Sequence, residues 1–114
     1  MIDHAIFTNL QATAGAEFVT ELVDTFLEEA PQILAELRGA RADADADRFR
    51  RAAHSLKSNS LTFGALALGA IARDIELRGL AADAAVDGAA LDALNALDAA
   101  YAQAAAALKA LCSG

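Results

Sequence analysis

Apolar residues recur every three to four positions along most of this 114-residue chain. This spacing places them on one face of a helix. Composition supports the same interpretation, because 32 residues are alanine and only one is proline. Alanine has the highest intrinsic helix propensity, and its small side chain lets helices pack closely. The sequence therefore predicts an all-α protein. The pattern is clearest in one segment, at Val19, Val23, Phe26, Ala30, Ile33 and Leu37.

Glycines and polar stretches divide the chain into five predicted helices within a single domain, residues 1–114. We expect Pro31 to kink the second helix or to restart it, and Asp43 or Asp45 to cap the third helix after the polar connection 40–46. Asp87 is expected to cap the last helix after a loop over 80–87. Four long helices with short connections predict an antiparallel up-down four-helix bundle, with a short extra N-terminal helix covering one end. The predicted helices span about residues 3–12, 16–38, 47–63, 65–78 and 88–111.

The charge balance narrows the range of partners. Nine basic against 16 acidic residues give a formal net charge of −7, which argues against nucleic-acid or anionic-membrane binding. Cys112 is the single cysteine and has no partner for an intramolecular disulfide. The longest uncharged stretch, residues 58–72, is shorter than the roughly 20 apolar residues that span a bilayer. The N-terminal residues lack the pattern of a signal peptide, so we expect a cytoplasmic protein.

One histidine stands out on the third predicted helix. At about 100° per residue, five of its residues fall within a sector of about 80° that faces the core. His54 points about 140° away from the centre of that sector, and Lys57 lies about 80° away. The periodicity therefore excludes a buried His54, and a surface imidazole is in good part neutral and nucleophilic near pH 7. The core-facing residues are Phe49, Ala53, Leu56, Ser60 and Phe63.

Basic residues gather around this histidine. Arg48, Arg50, Arg51 and Lys57 are four of the nine cations in the chain, and residues 48–57 contain no acid. In a chain of net charge −7 such a cluster predicts an anion site, with phosphate the common ligand. The competing interpretation is an ordinary solvated helix face.

The segment AAHSLKSNSLTFGA, residues 52–65, resembles the signature of histidine-containing phosphotransfer (HPt) domains. Residues 17–40 and 72–79 resemble the helices on either side of that signature in bacterial members. The signature consists of a histidine, a leucine, a lysine, a small residue and a glycine at fixed spacing. The matching residues in this chain are His54, Leu56, Lys57, Ser58 and Gly64.

The resemblance implies a phosphoryl carrier rather than an enzyme. Such domains accept a phosphoryl group on the histidine from the aspartyl phosphate of a response-regulator receiver domain, or from a histidine kinase, and pass it to another receiver. Lys57 would offset the negative charge of the transferring group. The receiver would supply the aspartate and Mg²⁺, so the chain needs no metal or cofactor of its own. We expect a monomer whose partners are receiver domains and a kinase, which is in some cases a hybrid kinase.

Four further assignments follow from position in the family. In related domains of chemotaxis kinases, a glutamate 22 residues after the histidine hydrogen-bonds the imidazole, and that position is Glu76 here. Arg73 shares a helix face with Glu76, where it joins either the site or a solvated ion pair. Ser58 stands where glycine is most common, and Leu61 where a small residue is usual. We assign Ser58 and Leu61 to partner docking, together with Arg50 and Arg51, and read His4 as a surface residue.

Two other functions compete with that of a phosphoryl carrier. A bundle that docks a receiver without chemistry would need neither His54 nor Lys57. A hydrolytic or metal enzyme is disfavoured, because the two histidines lie 50 residues apart and neither a zinc-protease motif nor a nucleophile elbow is present. Whether the chain is free-standing or a domain of a larger kinase stays open on the sequence.

Overall fold

A computed structural model describes residues 2–80 and 88–113. Within these residues all regular structure is helical, which confirms the predicted all-α class. Among the described helices, none is both long and apolar enough to cross a membrane. The expected cap at Asp87 and most of the expected loop 80–87 lie outside the described residues. The helices are α1 (His4–Ala14), α2 (Ala16–Ala42), α3 (Ala46–Thr62), α4 (Leu66–Arg78) and α5 (Gly88–Ser113).

The four long helices form a closed ring in which α2 packs on α3, α3 on α4, α4 on α5, and α5 on α2. In each pair for which side-chain contacts fix the direction, residues late in one helix meet residues early in the other, so those neighbours run antiparallel. The predicted up-down four-helix bundle is therefore confirmed. The contacts that set the directions are Phe26–Phe63 and Glu36–Arg48, His54–Glu76 and Leu61–Gly69, and Leu27–Tyr101 and Arg38–Asp98.

The short helix α1 closes one end of this bundle. The Asp3 side chain caps it by accepting a hydrogen bond from the Ile6 backbone N–H at 3.0 Å. The Asp3 backbone N–H in turn donates to the carbonyl of Gly64 at 2.8 Å. Gly64 has φ +83°, and a Cβ there would lie 2.8 Å from the carbonyl oxygen of Asp3. Only glycine fits this turn between α3 and α4, and the turn holds α1 over that end of the bundle.

Helix α2 is longer than predicted. It runs without a restart through Pro31 and continues past Gly39 to Ala42, so the connection to α3 shrinks to residues 43–45. Gly39 lies inside the helix, where its missing side chain leaves space for a residue of α3. A Cβ on Gly39 would lie 2.7 Å from Nη2 of Arg48. The glycine lets the α3 guanidinium cross close to the α2 backbone. Asp45 is the residue that caps α3, by accepting from the Arg48 N–H at 3.1 Å.

The core follows the helical periodicity with one exception. All five residues assigned to the inner face of α3 are buried, including Ser60, whose hydroxyl donates to the Leu56 carbonyl at 2.6 Å. In α5, Leu94 and Leu97 are buried, but Leu91 is 38% exposed. Ala90 takes the inward position in that turn, because α5 is rotated so that Leu91 lies about 90° from the centre of its buried face.

Candidate functional site

His54 lies on the outer face of α3, and its side chain is 56% exposed. The buried residues Phe49, Ala53 and Leu56 point the opposite side of this helix into the core and so fix the direction in which His54 projects. The short connection from α3 to α4 brings α4 alongside the same face. The histidine therefore stands at the seam between α3 and α4, open to solvent on its outer side.

Glu76 of α4 reaches across this seam with both carboxylate oxygens. Its Oε2 lies 2.6 Å from Nδ1 of His54, and its Oε1 lies 2.8 Å from Nζ of Lys57. The Glu76 side chain is only 15% exposed, less than either partner. One carboxylate from α4 thus joins two α3 side chains that stand one turn apart, in the position that the family resemblance implied.

The electrostatics of Glu76 determine the proton arrangement on the imidazole. The hydrogen bond from Lys57 holds the pKa of the Glu76 carboxyl below its usual value, and the contact with His54 acts in the same direction, while burial opposes both. An ionised carboxylate can only accept hydrogen bonds, so Nδ1 of His54 must be the donor. The neutral ring then carries its lone pair on Nε2. No residue in the described parts of the chain is hydrogen-bonded to Nε2, which leaves this nitrogen available as a nucleophile.

Lys57 is held in place by an ion pair with Glu76. Its side chain is 23% exposed and donates to Glu76. An ammonium group has three N–H donors, and the bond to Glu76 uses one of them. The charge thus stays one helical turn from His54 while other N–H groups remain for anionic oxygens near the ring.

The arginines on α3 are paired with acids that lie outside residues 48–57. Arg48 contacts Glu36 at 2.5 Å and Asp43 at 2.9 Å, and these carboxylates raise the pKa of its guanidinium further. Arg50 and Arg51 both pair with Asp47, at 3.1 and 2.9 Å. These acids lie on α2, in the connection between α2 and α3, and in the first turn of α3. All of them are outside residues 48–57, so the acids counted within that range do not include them. Arg50 and Arg51 keep exposed side chains, at 54% and 67%.

Leu61 and Ser58 lie on the exposed surface of α3 beyond His54. Leu61 is 42% exposed, and its Cδ2 lies 2.6 Å from where a Cβ on Gly69 would stand. Gly69 lies inside α4, where glycine costs about 1 kcal/mol of helix stability relative to alanine. Because Gly69 has no side chain, Leu61 can pack against α4 at this position. Leu61 therefore has one side packed on α4 and the other in solvent.

Arg73 does not join this group. It is exposed on α4 and makes no ion pair with any described residue. The alternative, an ion pair between Arg73 and Glu76, is not formed either, because Glu76 turns toward α3, where its oxygens contact His54 and Lys57. His4 is exposed on α1, as expected.

Sequence reasoning missed a groove on the other flank of α3, between α2 and α3. It has a volume of about 380 Å³, and its polar lining includes Glu29, Ser55 and Asn59. The signal was present as two polar residues four positions apart, Ser55 and Asn59, on a helix face adjacent to that of His54. Among the described residues, no three histidine, cysteine, aspartate or glutamate side chains are grouped so that they could hold a metal ion.

Comparison with protein families decides the relationship. The family model described as Hpt domain matches residues 21–110, which include all of α3 and α4 and therefore the whole site around His54. This chain belongs to the Hpt domain family. Hpt domains are helical bundles that act as phosphocarriers in histidine phosphotransfer, and the partners that the family implies are receiver domains and kinases. No curated protein and no solved structure matches the chain. Helix α1 lies outside the matched residues.

Proposed function

We propose that this Hpt domain carries a phosphoryl group on Nε2 of His54. It accepts the group from the aspartyl phosphate of a receiver domain, or from a histidine kinase, and passes it to the aspartate of another receiver. The observation that carries the proposal is the arrangement His54–Glu76–Lys57, with contacts of 2.6 and 2.8 Å. It combines an Nδ1 that faces a carboxylate, an Nε2 that no described residue hydrogen-bonds, and a cation one turn away on an exposed helix face.

In the incoming step the Nε2 lone pair attacks phosphorus in line, and the bond from phosphorus to the aspartate oxygen breaks. Negative charge spreads over the three equatorial oxygens of the transferring group. Lys57 offsets part of that charge with N–H donors that Glu76 leaves unused. Both oxygens of Glu76 are engaged by the side chains of His54 and Lys57. Mg²⁺ and the reactive aspartate belong to the receiver.

The receiver docks on the exposed face that surrounds His54. Leu61 offers apolar area beyond the histidine, Ser58 adds an exposed polar side chain, and Arg50 and Arg51 offer guanidinium groups on its N-terminal side. Apolar area removed from water supports association, while exposed charges steer encounter and select partners. We place this exchange in the cytoplasm and expect the carrier to act as a monomer.

The test is phosphotransfer from phosphorylated receiver domains, profiled across the receivers of the source genome. We expect His54→Gln to abolish acid-labile labelling. Because the side chain is exposed, the free energy of unfolding should stay within about 0.5 kcal/mol of wild type. His4→Gln is the matched control, since His4 is also an exposed helical histidine, and it should label normally. Binding of a receiver without any label on His54 would instead indicate an adaptor.

A further inference from the structure

We propose that Glu76 sets how long the phosphoryl group stays on His54, by holding the proton on Nδ1 of the phosphorylated ring. The inference rests on the proposed function, because it concerns the phosphorylated form of the same histidine. It goes beyond the orientation of the resting imidazole: the same carboxylate would govern how readily the group departs, to a receiver or to water.

The contact geometry is suited to this role. Oε2 of Glu76 lies 2.6 Å from Nδ1, while Nε2 is the nitrogen that would carry phosphorus. Phosphorylation therefore leaves the Nδ1–H···Oε2 bond in place. Lys57 holds the other oxygen at 2.8 Å and favours the ionised carboxylate. A mostly covered carboxylate beside a ring nitrogen stabilises positive charge on that ring.

The proton on Nδ1 decides which group leaves when the phosphorus–nitrogen bond breaks. When the Nε2 lone pair forms the bond to phosphorus, the Nδ1 proton stays and the product ring is a phosphoimidazolium cation. When the phosphorus–nitrogen bond later breaks, the electron pair returns to Nε2 and a neutral imidazole leaves. If Nδ1 has lost its proton, the same cleavage must expel an imidazolate anion, which is a far poorer leaving group. By holding the proton, Glu76 keeps the phosphoryl group transferable at neutral pH and shortens its lifetime in water.

Other charged groups near the ring act on it more weakly, because none is hydrogen-bonded to it among the described residues. On α3 the cations are each paired with a carboxylate, and on α2 the acids lie across the groove on the far flank of α3. These groups are Asp47, Arg50, Arg51 and Lys57 on α3, Arg73 on α4, and Glu29 and Glu36 on α2.

The experiment follows the decay of the phosphohistidine in the whole chain. Phosphoramidate transfers its phosphoryl group from nitrogen and releases ammonia, so it labels exposed histidines without a receiver, and a His4→Gln background leaves His54 as the one histidine to be labelled. After removal of the reagent, phosphorus NMR measures the loss of label between pH 6 and 9. Glu76→Gln keeps a hydrogen-bond acceptor but removes the charge. We expect the label on this variant to last about tenfold longer at pH 8. The pH below which the decay rate rises should be about one unit lower than in wild type. Outward transfer to a receiver should slow by a similar factor.

Asp74→Asn is the matched control, since Asp74 is an exposed carboxylate on the same helix. It removes the same charge without touching His54 and should leave the lifetime unchanged. Equal lifetimes in wild type and Glu76→Gln, or an equal lengthening in Asp74→Asn, would overturn the inference while the proposed function stood. Failure of wild-type His54 to take any label, from phosphoramidate or from a receiver, would overturn both.

Discussion

Alanine substitutions at two leucines of α3 should separate docking from folding. Leu56 is completely buried, whereas Leu61 is 42% exposed and packs against α4 at Gly69. Truncating a fully buried leucine costs about 3–5 kcal/mol, because a cavity is left behind. Burying a whole leucine side chain is worth about 1.5–3 kcal/mol, and a little over half of Leu61 is covered. We therefore expect Leu61→Ala to cost about 1 kcal/mol.

Urea and thermal unfolding measure these costs directly. For a domain of this length about 1 kcal/mol lowers Tm by about 4 °C, so Leu56→Ala should melt at least about 12 °C below wild type. Leu61→Ala should melt only about 4 °C below it. The same Leu61→Ala protein should need about fivefold more receiver for half-maximal transfer, the equivalent of about 1 kcal/mol of lost contact.

Leu91→Ala is the matched control for docking. Leu91 is 38% exposed, close to the exposure of Leu61, but it lies on α5, which packs on α2 and α4. This variant should lose a similar amount of stability and keep the half-maximal receiver concentration of wild type. If Leu61→Ala melts as low as Leu56→Ala, Leu61 belongs to the core. If its transfer curve matches that of wild type and Leu91→Ala, the docking role is refuted.

Three further outcomes are expected. Lys57→Ala should slow transfer in both directions by about tenfold or more, since it removes a cation beside the transferring group; an unchanged rate in quenched-flow labelling would make Lys57 a surface lysine only. The lowered pKa of Glu76 means that its ionised form stabilises the fold fully above the ordinary value of 4.5, and that this contribution is lost as the pH falls below it. The free energy of unfolding should therefore fall more steeply below pH 5 in wild type than in Glu76→Gln; parallel curves would contradict the ion pair. Gly69→Ala should destabilise the domain despite the better helix propensity of alanine, because its Cβ would collide with Cδ2 of Leu61, and adding Leu61→Ala should restore stability; a stabilised single variant would refute the contact.

Local periodicity was enough to predict the parts of the site that depend on one helix. The inner face of α3 and the exposure of His54 follow from 3.6 residues per turn, because a helix with one buried side must present the other side to solvent. The cap at Asp45 is local in the same way, since its side chain reaches a backbone N–H three residues later. These features needed no knowledge of the neighbouring helices.

The pairing of charges was decided by neighbours that periodicity cannot place. Arg48 stood in the sequence as part of an anion site, yet it crosses to α2, where Gly39 leaves room for it beside Glu36. Glu76 turns to Lys57 and His54, not to Arg73 on its own helix. A long polar side chain reaches several partners at similar energy in water, and only the packed positions of the other helices select one.

The sequence by itself determined the all-α class, the core face of α3 and the histidine that stands outside it. Those properties come from the order of apolar and polar residues along one helix. Tertiary structure alone decided the length of α2 past Gly39, the packing of Leu61 on Gly69, and the contact between Glu76 and Lys57. Each of these depends on the distance between two helices at one level of the bundle, which is set when all four long helices close their shared core.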